Sequence, residues 1–217
     1  AGSTLNLPSS LKIGSVGRPL PGTGVRIESD GEVLLKGPHV FMGYWNNQAA
    51  TSEAMTSDGW FRTGDIGELD GDGFLRITGR KKELIVTAGG KNVAPAVLED
   101  RLRANPIISQ CVVVGDNKPY IGALITLDQE ALPQILAANN IASAPMSELI
   151  ANPEIRALVQ KAVNSANESV SNSEAIKKFS ILPEDLTIDN GYLTPKMSIR
   201  RHLIVQDFAN EINSLYS

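Results

Sequence analysis

The sequence has one cysteine, Cys111, among 217 residues, so no internal disulfide can form and the Cys-rich secreted scaffolds are excluded. Cys111 lies in the apolar run Gln110-Cys111-Val112-Val113-Val114 and reads as a buried strand thiol. Histidine is nearly absent too. His39 and His202 are too few for a His-based zinc site, and no metal ligand set is expected. Aromatic residues make up only 5% of the chain and the net charge is −4, against a basic, aromatic nucleic-acid surface. No apolar run approaches the roughly 20 residues of a membrane span. The start, Ala1-Gly2-Ser3-Thr4-Leu5-Asn6, has neither a charged n-region nor an apolar h-region and is not expected to be a signal peptide. It has no initiator Met, as expected of a fragment or a processed form. What remains, 42% hydrophobic and 20% charged residues, suits a globular chain long enough to bury a core.

Residues 1–80 are dense in Gly and Pro, with short apolar runs such as Val25-Arg26-Ile27 and Glu32-Val33-Leu34-Leu35 between them. Asp30-Gly31 and Asp72-Gly73 are hairpin-turn dipeptides. This texture predicts a barrel or small sheet, with one short helix over Gln48–Met55. After Arg80 the pattern changes. Strands are expected at Leu84–Thr87, Val112–Val114 and Ile121–Thr126. Helices are expected from Pro95, over Glu130–Ala138, from Pro153, and from about Met197 to Leu215. The expected fold is therefore mixed: a β-rich, barrel-like part over residues 1–80, then an α+β domain over residues 81–217.

Four stretches carry groups with chemical potential. In Trp60-Phe61-Arg62-Thr63-Gly64-Asp65, a Gly-flanked carboxylate can accept two hydrogen bonds from a diol. A turn Asp capping its own backbone explains the same residues. In Gly79-Arg80-Lys81-Lys82-Glu83, Arg80 is a fixed fork for ribose or phosphate oxygens, and a solvated basic linker is the plainer reading. In Gly89-Gly90-Lys91-Asn92-Val93-Ala94-Pro95, paired glycines let a ligand approach the backbone, and a bland β-to-α turn explains them equally well; the P-loop spacing is absent. In Asn190-Gly191-Tyr192-Leu193-Thr194-Pro195-Lys196, a lysine at a loop tip can neutralise developing negative charge, or simply sit at the surface.

Together, and in this order, these stretches resemble the adenylate-forming superfamily of acyl-CoA synthetases, peptide-synthetase adenylation domains and luciferases. Gly31-Glu32-Val33 and Gly43-Tyr44-Trp45 belong to the same series of motifs. Leu193-Thr194-Pro195 and the extended helical stretch between Asp128 and Lys178 look most like the bacterial long-chain fatty acyl-CoA synthetase branch. The resemblance covers essentially the whole chain. It implies the C-terminal portion of a larger enzyme: the end of its large AMP-binding domain and its whole small lid domain.

The resemblance implies an activity for the whole enzyme: fatty acid, ATP and CoA give acyl-CoA, AMP and pyrophosphate through an acyl-adenylate. By motif match, Asp65 and Arg80 would hold the AMP ribose, Lys82 would be the hinge, and Gly89, Gly90 and Lys91 would line the CoA path. Lys196 would be the catalytic lysine bridging carboxylate and α-phosphate. Long-chain relatives read Leu-Thr-Pro-Thr-x-Lys, and aligned on Leu193 the lysine's place is taken by Ser198. In a helix that two-residue offset would swing a side chain by about 200°. Mg2+ ligands are expected in the missing N-terminal part, and the piece alone is expected to be inactive. The expected setting is cytoplasmic, with peripheral membrane contact and homo-oligomerisation as further expectations. Two alternatives stand beside this reading: another carboxylate-activating ligase, and a non-catalytic binding module that keeps the fold.

Overall fold

The computed structural model describes residues 2–217, and the chain divides into two compact units, Ala1–Leu84 and Ile85–Ser217. The mixed composition of strands and helices agrees with the sequence. No helix among the described residues is long and apolar enough to cross a membrane.

In the first unit, β1 (Thr4–Leu5) pairs antiparallel with β2 (Arg18–Pro19). Gly17 makes this pairing possible: a Cβ there would lie 2.0 Å from the Leu5 carbonyl carbon, and its φ is +92°. The strands β3 (Gly24–Ile27) and β4 (Glu32–Lys36), the short helix α1 (Gln48–Ala54), then β5 (Phe61–Leu69) and β6 (Leu75–Arg80) follow. The four strands form an antiparallel meander in the order β3-β4-β5-β6. Both expected hairpin turns are present, with Gly31 and Gly73 at positive φ. Asp70 closes the second by accepting from the backbone N–H groups of Asp72 and Phe74, both at 2.9 Å. Asn47 caps α1 by accepting from Ala50 N–H. The unit buries Val33, Leu34, Phe74 and Leu75, while Ile13, Met42 and Trp45 are almost fully exposed.

In the second unit, the hairpin β7 (Ile85–Val86) and β8 (Asn92–Val93) leads into α2 (Pro95–Arg103). Then come β9 (Ile108–Val114), β10 (Ile121–Leu127), α3 (Leu132–Ala138), α4 (Met146–Leu149), α5 (Pro153–Asn167), β11 (Ile176–Ile181), α6 (Arg201–Asp207) and α7 (Ala209–Ser214). Strand β10 is central, antiparallel to β9 and parallel to β11, and all its residues are buried. The period-two alternation of β9 and β10 feeds two cores. Cys111, Val113, Ala123 and Ile125 pack with Leu98 and Leu102 of α2 and Ile155, Val159 and Val163 of α5. Val112, Val114 and Leu124 pack with Leu182, Leu186, Ile204, Ile212 and Leu215. Burying two apolar side chains of this size typically contributes about 3–6 kcal/mol, so each helix is held chiefly by its inner face.

Three local expectations change. The last helix begins at Arg201 rather than near Met197 and breaks at Phe208 into α6 and α7. The reason is a tight turn before it: Leu193 bridges Ile199, Thr194 N–H donates to Ser198 O at 2.9 Å, and Met197 sits at φ +61°. The helix expected from Glu130 starts at Leu132, because Asp128 accepts from the N–H groups of Glu130 and Ala131. Strand β11 was not expected. Only its ends, Ile176 and Ile181, are fully buried, and Asn167 starts it by exchanging two hydrogen bonds with the Ile176 backbone, at 2.8 and 3.0 Å.

Candidate functional site

Asp65 and Arg80 face each other across β5 and β6, with Arg80 Nη1 2.9 Å from Asp65 Oδ1. Two bulges aim this pair. Between the pairs Glu32↔Ile66 and Leu34↔Arg62, β4 contributes only Val33 while β5 contributes Thr63, Gly64 and Asp65. The excess pushes Gly64 outward at φ +71°, with nothing within 4 Å of where a Cβ would stand. On β6, Thr78 is the extra residue, and its hydroxyl donates to Ile66 O at 3.3 Å. Asp65 is the less exposed partner, with 28% side-chain exposure against 62% for Arg80. A carboxylate backed by a guanidinium, beside an uncovered glycine, suits a ligand carrying adjacent hydroxyls.

Behind the bulge lies Glu32, a residue whose role the sequence does not disclose. Its side chain is 4% exposed. One oxygen accepts from Gly64 N–H at 3.2 Å; the other meets Arg62 Nη1 at 3.2 Å and Lys81 Nζ at 2.8 Å. Thr63 completes the wiring, donating to Val33 O at 2.7 Å and accepting from Asp65 N–H at 3.0 Å. Lys81 also reaches Asp30 at 2.7 Å. The hydrogen bond from Lys81 holds the Asp30 carboxyl below its usual range, and Asp30 and Glu32 together raise the Lys81 ammonium. In the sequence Glu32 stands in the motif Gly31-Glu32-Val33 and opens the apolar run Glu32-Val33-Leu34-Leu35, and neither names its partners. Lys82 follows in a single 3-10 turn, Lys81–Glu83, and is exposed. It shares an open cleft of the first unit with Glu32, Tyr44, Arg62, Gly64 and Lys81.

The second unit carries the other two groups. Gly89, Gly90 and Lys91 form the exposed tip of the β7–β8 hairpin. Gly90 has φ +76° and open space around it, and Thr87 braces the turn by exchanging backbone hydrogen bonds with Gly90 and Lys91. Lys91 Nζ lies 3.4 Å from Glu174 Oε1, a partner not expected from sequence. Lys196 lies at the exposed tip of the Thr194–Ser198 turn, and among the described residues it joins no ion pair. Because this turn is not helical, Lys196 and Ser198 share one loop tip and the 200° helical swing does not arise. The structure thus pairs Asp65 with Arg80, sets Lys82 in the cleft that Gly64 also lines, and places Gly89–Lys91 and Lys196 at two separate turns of the other unit. Among the described residues, no group of three or more His, Cys, Asp or Glu side chains is arranged to hold a metal ion.

Comparison with known proteins identifies the family of the chain. The profile of the AMP-binding enzyme C-terminal domain matches residues 82–217. The long-chain-fatty-acid–CoA ligase FadD15 of Mycobacterium tuberculosis is 56% identical over 96% of this chain and 35% of its own length. The human long-chain-fatty-acid–CoA ligase ACSBG2 is 34% identical over 86% of this chain and 31% of its own. The chain therefore spans about a third of the length of these relatives. Among solved structures, an o-succinylbenzoate coenzyme A synthetase from Bacillus subtilis in complex with AMP superposes with a TM-score of 0.60 at 26% identity, over 88% of this chain and 35% of that one. The adenylation domain of a Mycobacterium chelonae carboxylate reductase shares the fold, with a TM-score of 0.69 at 20% identity over 94% of this chain and 32% of that one. With the matched profile covering well over half of its residues, the chain belongs to the AMP-binding enzyme family.

Proposed function

We propose that this chain works as the C-terminal part of a long-chain fatty acid–CoA ligase. Its first unit would be the barrel-like end of the large AMP-binding domain, and residues 81–217 would be the small lid domain. The observation that carries the reading is the cross-strand Asp65–Arg80 pair set beside the uncovered Gly64. The 56% identity to a named ligase supports the substrate class.

In the first half-reaction a fatty carboxylate oxygen attacks the α-phosphorus of ATP, and pyrophosphate leaves. Asp65 accepts from the ribose hydroxyls and Arg80 donates to a ribose oxygen, fixing the nucleotide while the α-phosphate reacts. Lys196 lies between the carboxylate and the α-phosphate and offsets the negative charge that they bring together. Removing such a group typically lowers the rate by about 10²–10³. In the second half-reaction the CoA thiol attacks the acyl carbonyl and AMP leaves. The Gly89–Gly90 tip, lacking side chains, lets the pantetheine arm run along the backbone, with Lys91 beside it. Lys82 is the hinge between the two states. The Mg2+ that accompanies ATP is assigned to residues outside this chain.

ATP–pyrophosphate exchange with a fatty acid tests the reading, comparing the 217-residue chain, the full ligase and its Lys196→Ala and Asp65→Ala variants. The chain alone is expected to be silent and the ligase active. Lys196→Ala is expected to lower exchange by about 10²–10³, and Asp65→Ala to raise the KM for ATP. Exchange by the chain alone would overturn its assignment as a part. Full activity in Lys196→Ala would move the charge to another residue.

A further inference from the structure

Asp65 owes its position to a bulge, and the bulge leaves backbone groups of β5 without ladder partners. Glu32 supplies the replacement. Its carboxylate accepts the Gly64 N–H that β4 does not meet, and the same carboxylate binds Arg62, two residues earlier on β5, and Lys81, the residue before Lys82. Asp30, on the preceding turn, holds Lys81 from its other side and accepts from Glu32 N–H at 3.0 Å. Its two oxygens meet one backbone donor and two cations. Burying this charge carries a desolvation cost, which these three donors offset.

We propose that Glu32 is a positioning residue for the nucleotide end of the site, fixing the Asp65 carboxylate through Gly64 and anchoring Lys81 immediately before the hinge. The inference rests on the assignment of Asp65 and Lys82 given above. It deepens that assignment by naming what holds them. Glu32 touches no substrate. Its loss lets Gly64 swing, so Asp65 spends less time facing the ribose, and the effect falls on nucleotide affinity rather than on the fatty acid.

Two measurements test this. In the 217-residue chain, amide hydrogen exchange at Gly64 is compared between wild type, Glu32→Gln and Glu32→Asp. Glu32→Gln is expected to speed Gly64 exchange at least tenfold while the rest of β4 keeps its protection, and Glu32→Asp to restore part of it. Unchanged Gly64 exchange would overturn the proposal. In the full ligase, Glu32→Gln is expected to raise the KM for ATP about tenfold and leave the KM for fatty acid within twofold. Asp65→Ala is the control. If Asp65→Ala raises the KM for ATP and Glu32→Gln does not, the proposal falls while the ribose assignment stands. If Asp65→Ala has no effect on ATP, the ribose assignment falls and the Gly64 exchange still decides what Glu32 does.

Discussion

Arg201 and Glu99 form a nearly buried ion pair, with Arg201 Nη2 2.7 Å from Glu99 Oε1 and side-chain exposures of 23% and 6%. The same Glu99 oxygen accepts from Val113 N–H at 2.8 Å, and Arg201 Nη1 donates to Val113 O at 2.7 Å. Three elements, α2, β9 and α6, therefore meet at one clamp just after the turn that carries Lys196. Breaking such a pair from one side typically costs about 3–5 kcal/mol, because the partner is left charged and buried. Glu99→Ala is expected to lower the urea midpoint of the second unit, followed by far-UV circular dichroism. Trp45 and Trp60 both lie in the first unit, so the tryptophan fluorescence transition should stay in place. A joint shift of both signals would mean that the units unfold as one.

The second unit should weaken in alkali. Burial pushes the Cys111 thiol well up, helped by the Glu99 charge, and burial raises the Tyr216 phenol to about 12. Both groups ionise in the unfolded chain before they do so in the folded one. Stability is thus complete below the ordinary thiol range and falls as pH rises from about 8.5 toward 12. The midpoint of unfolding measured at pH 8 and pH 10.5 should decline, less steeply in Tyr216→Phe. A thiol reagent at pH 8 should modify Cys111 only as fast as the unit opens.

The first unit should weaken in acid. The Thr56 hydroxyl and the Arg26 guanidinium hold Asp58 down to about 2. Lys12 lowers Asp70 as Lys81 lowers Asp30. Depressed carboxylates add stability above their unfolded range, near 4, and lose it as pH falls through their folded values. Tryptophan fluorescence should therefore report a falling urea midpoint between about pH 4 and pH 2. Asp58→Asn should flatten the slope. A midpoint that stays level to pH 2 would show that these exposed pairs are screened out.

The sequence reveals features whose causes are local. Asp30-Gly31 and Asp72-Gly73 mark turns because backbone geometry selects those residues, and Pro153 with its apolar stripe marks α5. What it hides are features caused at long range. Strand β11 is written with two exposed lysines, Lys177 and Lys178, and becomes a strand because Asn167 and β10 supply its partners. At the candidate site, Asp65 and Arg80 are legible as motif residues. Their opposition across two bulges is not, since it is set by the register that β4, β5 and β6 take up on pairing. Glu174, set against Lys91, shows the same limit: the two meet only once the chain has folded.

Strand β11 runs parallel to β10, and residues 128–175 separate them. A parallel partner cannot arrive through a hairpin, so the whole helical passage must be made before β10 gains its second neighbour. During synthesis, β9 and β10 can zip as soon as they emerge, but the far edge of β10 stays bare until Ile181 has left the ribosome. For that interval an apolar strand, Ile121-Gly122-Ala123-Leu124-Ile125-Thr126-Leu127, offers unpaired backbone to any chain nearby. The helical passage thus also sets the length of time for which the nascent chain is vulnerable to mispairing.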